Sequence, residues 1–520
     1  MPSFPLTFNQ RPFRMRIPGW FLLALVLPLA SLGADTVLSD SLRREFNNLR
    51  IYQVMVASFA DGNPGADYNT GYGPSSHKGD LRGIIRALPT IRSLGVNALW
   101  LTPVFDSDGG DAPSRLDATG YYPRDYFRVD PRFGSLPDLR RLVQRAHQLG
   151  LYVFLDGVFG HHKGDVPPSP RGHVPVGPPD QVDYPASLPF YTEVALYWID
   201  TLDIDGWRLD QAQQVPIDAW NAINRAVRER CQERRAAGER WGTLGYMVGE
   251  VWANERQIAR DAYGVEGTMG LPSAFDFPLR YRLVQALAVE ESGVGTVEAR
   301  LLDEGFATRA AYPDWAVPNL MLGNHDLVRF GDLIQRAGYG GPEHDSYWAR
   351  HRLAFAFLAA HTGPITIYYN EEIGMEVAGF AEKVTDRCWE IQRCDDHVAR
   401  TDGKLGDFTP REAALRRALI DLMDLRARHP ALWNGERINR IARGPVYVDE
   451  KRTDSERVLF VMNIGEEAVV LPLPAVAMVG ARGYRPLYRD GDVALTPSDG
   501  GWTLGLPPLS TGYFEIQTDD

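Results

Sequence analysis

Four acidic motifs punctuate the middle of the chain: Asp156-Gly157-Val158-Phe159-Gly160-His161, Gly206-Trp207-Arg208-Leu209-Asp210, Gly249-Glu250-Val251-Trp252 and Gly323-Asn324-His325-Asp326. Each places a carboxylate at or just past the end of a short apolar run. Two of them bring a histidine and one brings an arginine. Glycoside hydrolysis asks for such a set, because one carboxyl must protonate the leaving oxygen while another attacks or activates water. Arg208 and Asp210 are two residues apart, so on a strand they share a face, and a guanidinium there keeps a carboxylate charged and oriented. Glu250 stands next to Val251 and Trp252, a partly apolar setting that favours a retained proton near neutral pH. Taken singly, an Arg-x-Asp pair reads as a structural salt bridge, and a lone Gly-Glu says less. Their joint occurrence, in order and at strand ends, is what points to a catalytic site.

The elements that must position these groups read as repeated βα units. Short β-rich runs at 51–56, 98–101, 152–156, 206–209, 247–251, 274–277, 320–322 and 365–369 alternate with amphipathic stretches such as 81–94, 136–149 and 190–202. Eight strands with crossovers predict an α/β fold closed as a (β/α)₈ TIM barrel, whose site lies at the carboxyl ends of the strands. The expected division is a first barrel part over 35–160, a Pro- and Gly-rich insertion over 161–184, a second barrel part over 185–435 and a C-terminal β-sandwich domain over 436–520. The last rests on alternating runs such as 458–464 and on the turn signals Asp490-Gly491-Asp492 and Asp499-Gly500-Gly501.

Composition bounds the partners. The 520 residues carry 55 Lys and Arg against 67 Asp and Glu, a formal charge of -12, with no basic stripe interleaved with aromatics, so nucleic acid is not an expected partner. The arginine-dense stretch 225–240 also carries Glu229, Glu233 and Glu239 at helical spacing and reads as a solvated helix face. Arg11, Arg14 and Arg16 precede an apolar run over 20–30 and the small-residue site Leu32-Gly33-Ala34, which predicts a secretory signal peptide over 1–34, with Met15 as an alternative start. The mature chain is then expected to be secreted or periplasmic, without a membrane span, and monomeric. Of three cysteines, either Cys388 and Cys394 pair and Cys231 stays a free thiol, or all three stay reduced.

In order and in placement on the strands, the four acidic motifs resemble the sequence regions of the α-amylase family, glycoside hydrolase family 13. Gly120-Tyr121-Tyr122-Pro123-Arg124-Asp125-Tyr126 and Tyr368-Tyr369-Asn370-Glu371-Glu372-Ile373-Gly374 extend the similarity over nearly the whole chain after the leader. The resemblance implies hydrolysis of α-1,4-glucosidic bonds in starch or maltodextrins with retention. It matches Asp210 to the nucleophile, Glu250 to the acid/base and Asp326 to a third acid that binds sugar hydroxyls. Among substrate-binding candidates, Arg208 matches the arginine beside the nucleophile, and His161 and His325 the pair that bonds the sugar. Tyr121 matches the ring stacked beneath it, and Asp156 an aspartate that supports the arginine. Trp252, just past the acid/base, joins this group. The same fold also hosts α-glucan transglycosylases and sugar isomerases, and a non-catalytic carbohydrate-binding protein is a further alternative.

The chain departs from the family pattern at three positions. Gly160 stands where asparagine is usual, and Gln213 and Gln214 where lysine and histidine are usual. That asparagine and histidine help many members hold calcium, so no ion is expected at Gly160 or Gln214. The loop Asp61-Gly62-Asn63-Pro64-Gly65-Ala66-Asp67 resembles an oxygen-rich calcium loop of other members, with Asp61, Asn63, Asp67 and Asp80 as candidate ligands of Ca²⁺. The alternative there is a turn held by Asx hydrogen bonds. No organic cofactor is expected.

Overall fold

A computed structural model of the protein describes residues 38–67, 71, 73–107, 119–265, 267–377, 398–498 and 501–518. The expected leader, both Cys388 and Cys394, and the Asp499-Gly500 half of one turn lie outside the described residues. Cys231 is a buried free thiol.

Eight parallel strands close into a barrel: β1 (Arg50–Val54), β2 (Ala98–Leu101), β3 (Tyr152–Gly157), β4 (Gly206–Leu209), β5 (Tyr246–Gly249), β6 (Ser273–Phe275), β7 (Val317–Met321) and β8 (Ile365–Tyr368). Each is followed by a helix: α1 (Leu81–Arg92), α2 (Leu136–Gln148), α3 (Leu188–Leu202), α4 (Ile217–Ala236), α5 (Glu255–Ile258), α6 (Phe277–Leu287), α7 (Asp345–Ala359) and α8 (Pro410–Arg428). All eight expected strands form, with shifted ends. Val56–Phe59 is a short helix instead of the end of the first strand, and the fifth strand stops at Gly249, leaving Glu250 just beyond it. Phe277 opens a helix because Asp276 accepts from Leu279 N and proline follows at the second helical position.

The helices start where the sequence supplies caps. Ser135 and Asp138 form a capping box on α2, as do Thr409 and Glu412 on α8. Strand alternation then sorts the side chains. On β4, Trp207 turns outward and donates to Ala195 O of α3, while Arg208 turns into the barrel beside its register partner Asp156. Deeper in the barrel a polar chain crosses four strands: Thr366 Oγ1 donates to Asn319 Oδ1, Asn319 Nδ2 to Tyr246 OH, and Tyr246 OH shares a hydrogen bond with Ser273 Oγ. A fully connected network of this kind satisfies polar groups that would otherwise be left unpaired in an apolar core.

Between Gly157 and Leu188 the chain forms neither helix nor strand. It is pinned instead by one carboxylate of α3. Glu193 accepts from Ser169 Oγ at 2.5 Å, Arg171 N at 3.0 Å and His173 Nδ1 at 2.9 Å. The arginines of α4 reach neighbouring acids, Arg230 to Asp200 and Arg235 to Glu45.

The C-terminal region holds β9 (Glu436–Arg443), β10 (Val446–Arg452), β11 (Arg457–Asn463), β12 (Val469–Pro472), β13 (Ala481–Asp490), β14 (Ala494–Ser498), β15 (Gly501–Leu506) and β16 (Ser510–Thr518). They form two antiparallel sheets, ordered β9-β10-β11-β16-β13 and β12-β15-β14. One face of the larger sheet, with Val446, Val448, Leu459 and Val461, packs on Leu495, Leu504 and Leu506 of the smaller. The alternate residues Tyr447, Phe460, Met462 and Tyr513 belong to the barrel's own core, and Tyr513 OH donates to Ala356 O of α7. Among the described residues no helix is long and apolar enough to cross a membrane.

Candidate active site

The four acidic motifs meet at the carboxyl ends of β3, β4, β5 and β7, around one guanidinium. Arg208, 1% exposed, sets Nη1 2.8 Å from Asp156 Oδ1 and 2.9 Å from Asp210 Oδ1, donating to both. Its Nη2 stands 2.7 Å from Glu250 Oε2, an ion pair without hydrogen-bond alignment. One cation thus holds three carboxylates in a site from which water is largely excluded. Such an arrangement must raise the affinity of some of them for protons.

Burial pushes Glu250 up to about 8. Arg208 pulls it back, while Asp210, Asp326 and Asp156 push it further up. Among the described residues Gln211 N, 3.4 Å from Oε2, is its only other close donor. Asp156 is pushed up to about 7 by burial against the pull of Arg208. Its contacts are all donors: Trp100 Nε1 at 3.0 Å and Tyr121 OH at 2.9 Å on Oδ2, with Arg208 on Oδ1. Asp156 therefore serves as the anchor behind the arginine. Asp326 faces burial too, but His325 and Arg400 outweigh it and hold its carboxyl below the usual range.

The residues expected around the sugar gather here as well. Gln53 Nε2 lies 2.8 Å from His325 Nδ1, and the opposite ring nitrogen, Nε2, lies 3.1 Å from Asp326 Oδ2. The Tyr121 ring lies parallel to His325, centroids 5.0 Å apart, and 5.6 Å from the Arg208 guanidinium carbon. His161 Nε2 donates to Tyr121 O at 2.9 Å and lies 3.9 Å from Asp210 Oδ2. Trp252 is 47% exposed at the rim, stacked on Phe277 at 5.8 Å and donating to Tyr281 OH at 2.7 Å. An aromatic face held this firmly in solvent suits stacking against a sugar ring.

Two participants have roles that no motif spells out. Arg400 donates through Nη2 to Asp326 Oδ1 at 2.6 Å and through Nε to His325 O at 3.1 Å. It lies 74 positions from Asp326, so no local spacing announces it. Gln53, which orients His325, sits on β1 in a run that reads only as a strand.

In the candidate calcium loop two of the four expected ligands have other partners. Asp80 gives its carboxylate to backbone donors, Oδ2 accepting from Gly62 N and Asn63 N at 2.8 and 2.7 Å and Oδ1 from Gly83 N at 2.8 Å. Asp67 pairs with Lys78 Nζ at 2.8 Å, so an ammonium already supplies its positive partner. Among the described residues no group of three or more His, Cys, Asp and Glu side chains is disposed to hold a metal ion. Asp80 thus caps a helix and Asp67 Oδ2 meets a lysine, while among the described residues Asp67 Oδ1 is buried without a hydrogen-bond partner.

A family model described as the α-amylase catalytic domain matches residues 53–168 and 189–437. The chain belongs to the α-amylase family. The gap between the two matched segments falls within the irregular stretch ahead of α3. Neopullulanase 2 of Thermoactinomyces vulgaris is 29% identical over 391 residues, which cover 65% of this chain and 59% of that protein. Cyclomaltodextrinase of Geobacillus thermopakistaniensis is 28% identical over 478 residues, covering 83% and 71%. Among solved structures, AmyP in complex with maltose matches with a TM-score of 0.89 at 46% identity, covering 93% of this chain and 99% of that one.

Proposed function

We propose that the protein hydrolyses α-1,4-glucosidic bonds of starch- and maltodextrin-type glucans with retention, through a covalent glycosyl-enzyme. The observation that carries this reading is the single Arg208 guanidinium shared by Asp156, Asp210 and Glu250. It sorts the carboxylates by role. Asp210, hydrogen-bonded to the cation, is the nucleophile, and Glu250, buried and unaligned with the same cation, keeps its proton.

In the first step an Asp210 oxygen bonds to the anomeric carbon as the glycosidic C–O bond breaks, and Glu250 donates its proton to the departing oxygen. In the second, the Glu250 carboxylate takes a proton from water, whose oxygen displaces Asp210 from carbon. Asp326, fixed by Arg400, binds ring hydroxyls. Tyr121, His161 and His325 line the cleavage point, and Trp252 offers the leaving side an apolar face.

The names of the relatives, a neopullulanase and a cyclomaltodextrinase, and the maltose bound to AmyP support the substrate class. The test is a time course on linear maltodextrins, pullulan, trehalose and sucrose with the product anomer read by NMR. Reducing ends released from maltodextrins as the α-anomer are expected. A β-anomer appearing first would remove the double displacement, and products longer than the substrate would move the reading to transglycosylation.

A further inference from the structure

Gly160 and Gln214 form a pair that barrel geometry does not require. The Gly160 backbone is not among those in the left-handed region, so its lack of a side chain serves space, not conformation. A Cβ at that position would lie 2.3 Å from Gln214 Oε1 and 2.4 Å from Gln214 Cβ. The glutamine fills the room that the glycine leaves.

What the glutamine does there is specific. Its Oε1 lies 2.8 Å from His161 Nδ1, and its Nε2 donates to Gln211 Oε1 at 3.2 Å. The other ring nitrogen, Nε2, faces the carbonyl oxygen of Tyr121 at 2.9 Å and Asp210 Oδ2 at 3.9 Å. A carbonyl oxygen carries no hydrogen, so the proton must sit on His161 Nε2 whichever way the Gln214 amide is turned. Gln214 grips the opposite edge of the ring and thereby fixes where that N–H points.

We propose that Gln214 is a positioning residue for the reaction. By holding His161 through Nδ1, it aims the Nε2–H into the space between Tyr121 O and the Asp210 carboxylate, where a hydroxyl of the bound sugar is received. Gly160 is the substitution that admits it. This rests on the reading of Asp210 as nucleophile.

The test compares two replacements of similar length in the full chain, assayed on maltoheptaose. Gln214→Met fills the gap without a hydrogen-bonding group, and Gln214→Glu fills it with one. The methionine variant is expected to lose at least about tenfold in kcat/KM with an unchanged melting temperature, the scale of effect when a substrate-contacting group loses its orientation. The glutamate variant is expected to recover to within about threefold of wild type. Gly160→Ala, which pushes the same side chain from the other side, is expected to reproduce the methionine loss. A Gln214→Met enzyme within twofold of wild type, or Met and Glu variants equally impaired, would overturn the assignment. Asp210→Asn assayed alongside separates the two readings. If it is inactive while Gln214→Met is normal, only the Gln214 role falls; if it is fully active, the nucleophile assignment falls with it.

Discussion

The two ends of the barrel each bury an arginine, and they satisfy it in opposite ways. At the carboxyl end Arg208 faces three carboxylates, and their pull holds its proton more tightly than usual despite burial. At the amino end Arg426, 0% exposed, donates to the backbone carbonyls of Ala359, His361, Asn47 and Gly363. Burial, with Arg50 nearby, pushes its pKa down to about 9. Carbonyls cannot titrate or bond to a substrate carbon, so that end can only hold the chain segments leading into β1 and β8 together. Carboxylates can do both. One end is therefore a fastening and the other a reserve of charge, in keeping with where barrel enzymes put stability and chemistry.

Substitutions at the two ends should fail in different ways. The largest effect is expected from Asp210→Asn, which keeps the shape at the carboxyl end but removes the attacking charge. We expect kcat on maltodextrins to fall by about 10⁴-fold or more, the range seen when a covalent nucleophile is lost, with a melting temperature at or above wild type. A large fall in melting temperature would blur the division between the ends.

Arg426→Met should do the reverse. It leaves four buried carbonyls without their donors, a loss of about 3 kcal/mol of stability, while folded molecules turn over at the wild-type rate. Thermal unfolding and kcat per folded molecule, measured together, check this. A slower kcat with normal stability would tie the amino end to the chemistry.

The smallest effect is one of pH. Glu250 must carry its proton for the first step, and burial has raised its affinity for that proton. Activity should be present below its pKa and lost as pH rises through about 8, by about tenfold for each further unit. A kcat/KM profile that begins to fall near pH 5 would show that Arg208 dominates the burial of Glu250.

The sequence made the barrel legible because its strands are short apolar runs between amphipathic helices, a contrast that survives without any structure. Their ends were less legible. Val56 prolongs an apolar run and reads as strand, yet it opens a short helix once β1 has left the sheet. The acids could be found because each lies within a few residues of the end of its own strand. The roles of Arg400, Gln53 and Trp100 could not, because each meets its partner, Asp326, His325 or Asp156, from another strand or loop at least 56 positions away, a separation that leaves no periodic trace in the chain. The calcium loop shows the converse. Its oxygen-rich composition was plain, but whether those oxygens face an ion or backbone N–H groups depends on Asp80 capping α1 and on Lys78 reaching Asp67.

The larger C-terminal sheet spends its two faces on different neighbours, one on the small sheet and one on the barrel. Removing everything after residue 435 would therefore strip a wall from the catalytic body instead of detaching an appendage, baring the helix surface that Phe460 and Tyr513 now cover. The two modules are expected to melt together, in a single calorimetric peak, and to resist separation by truncation.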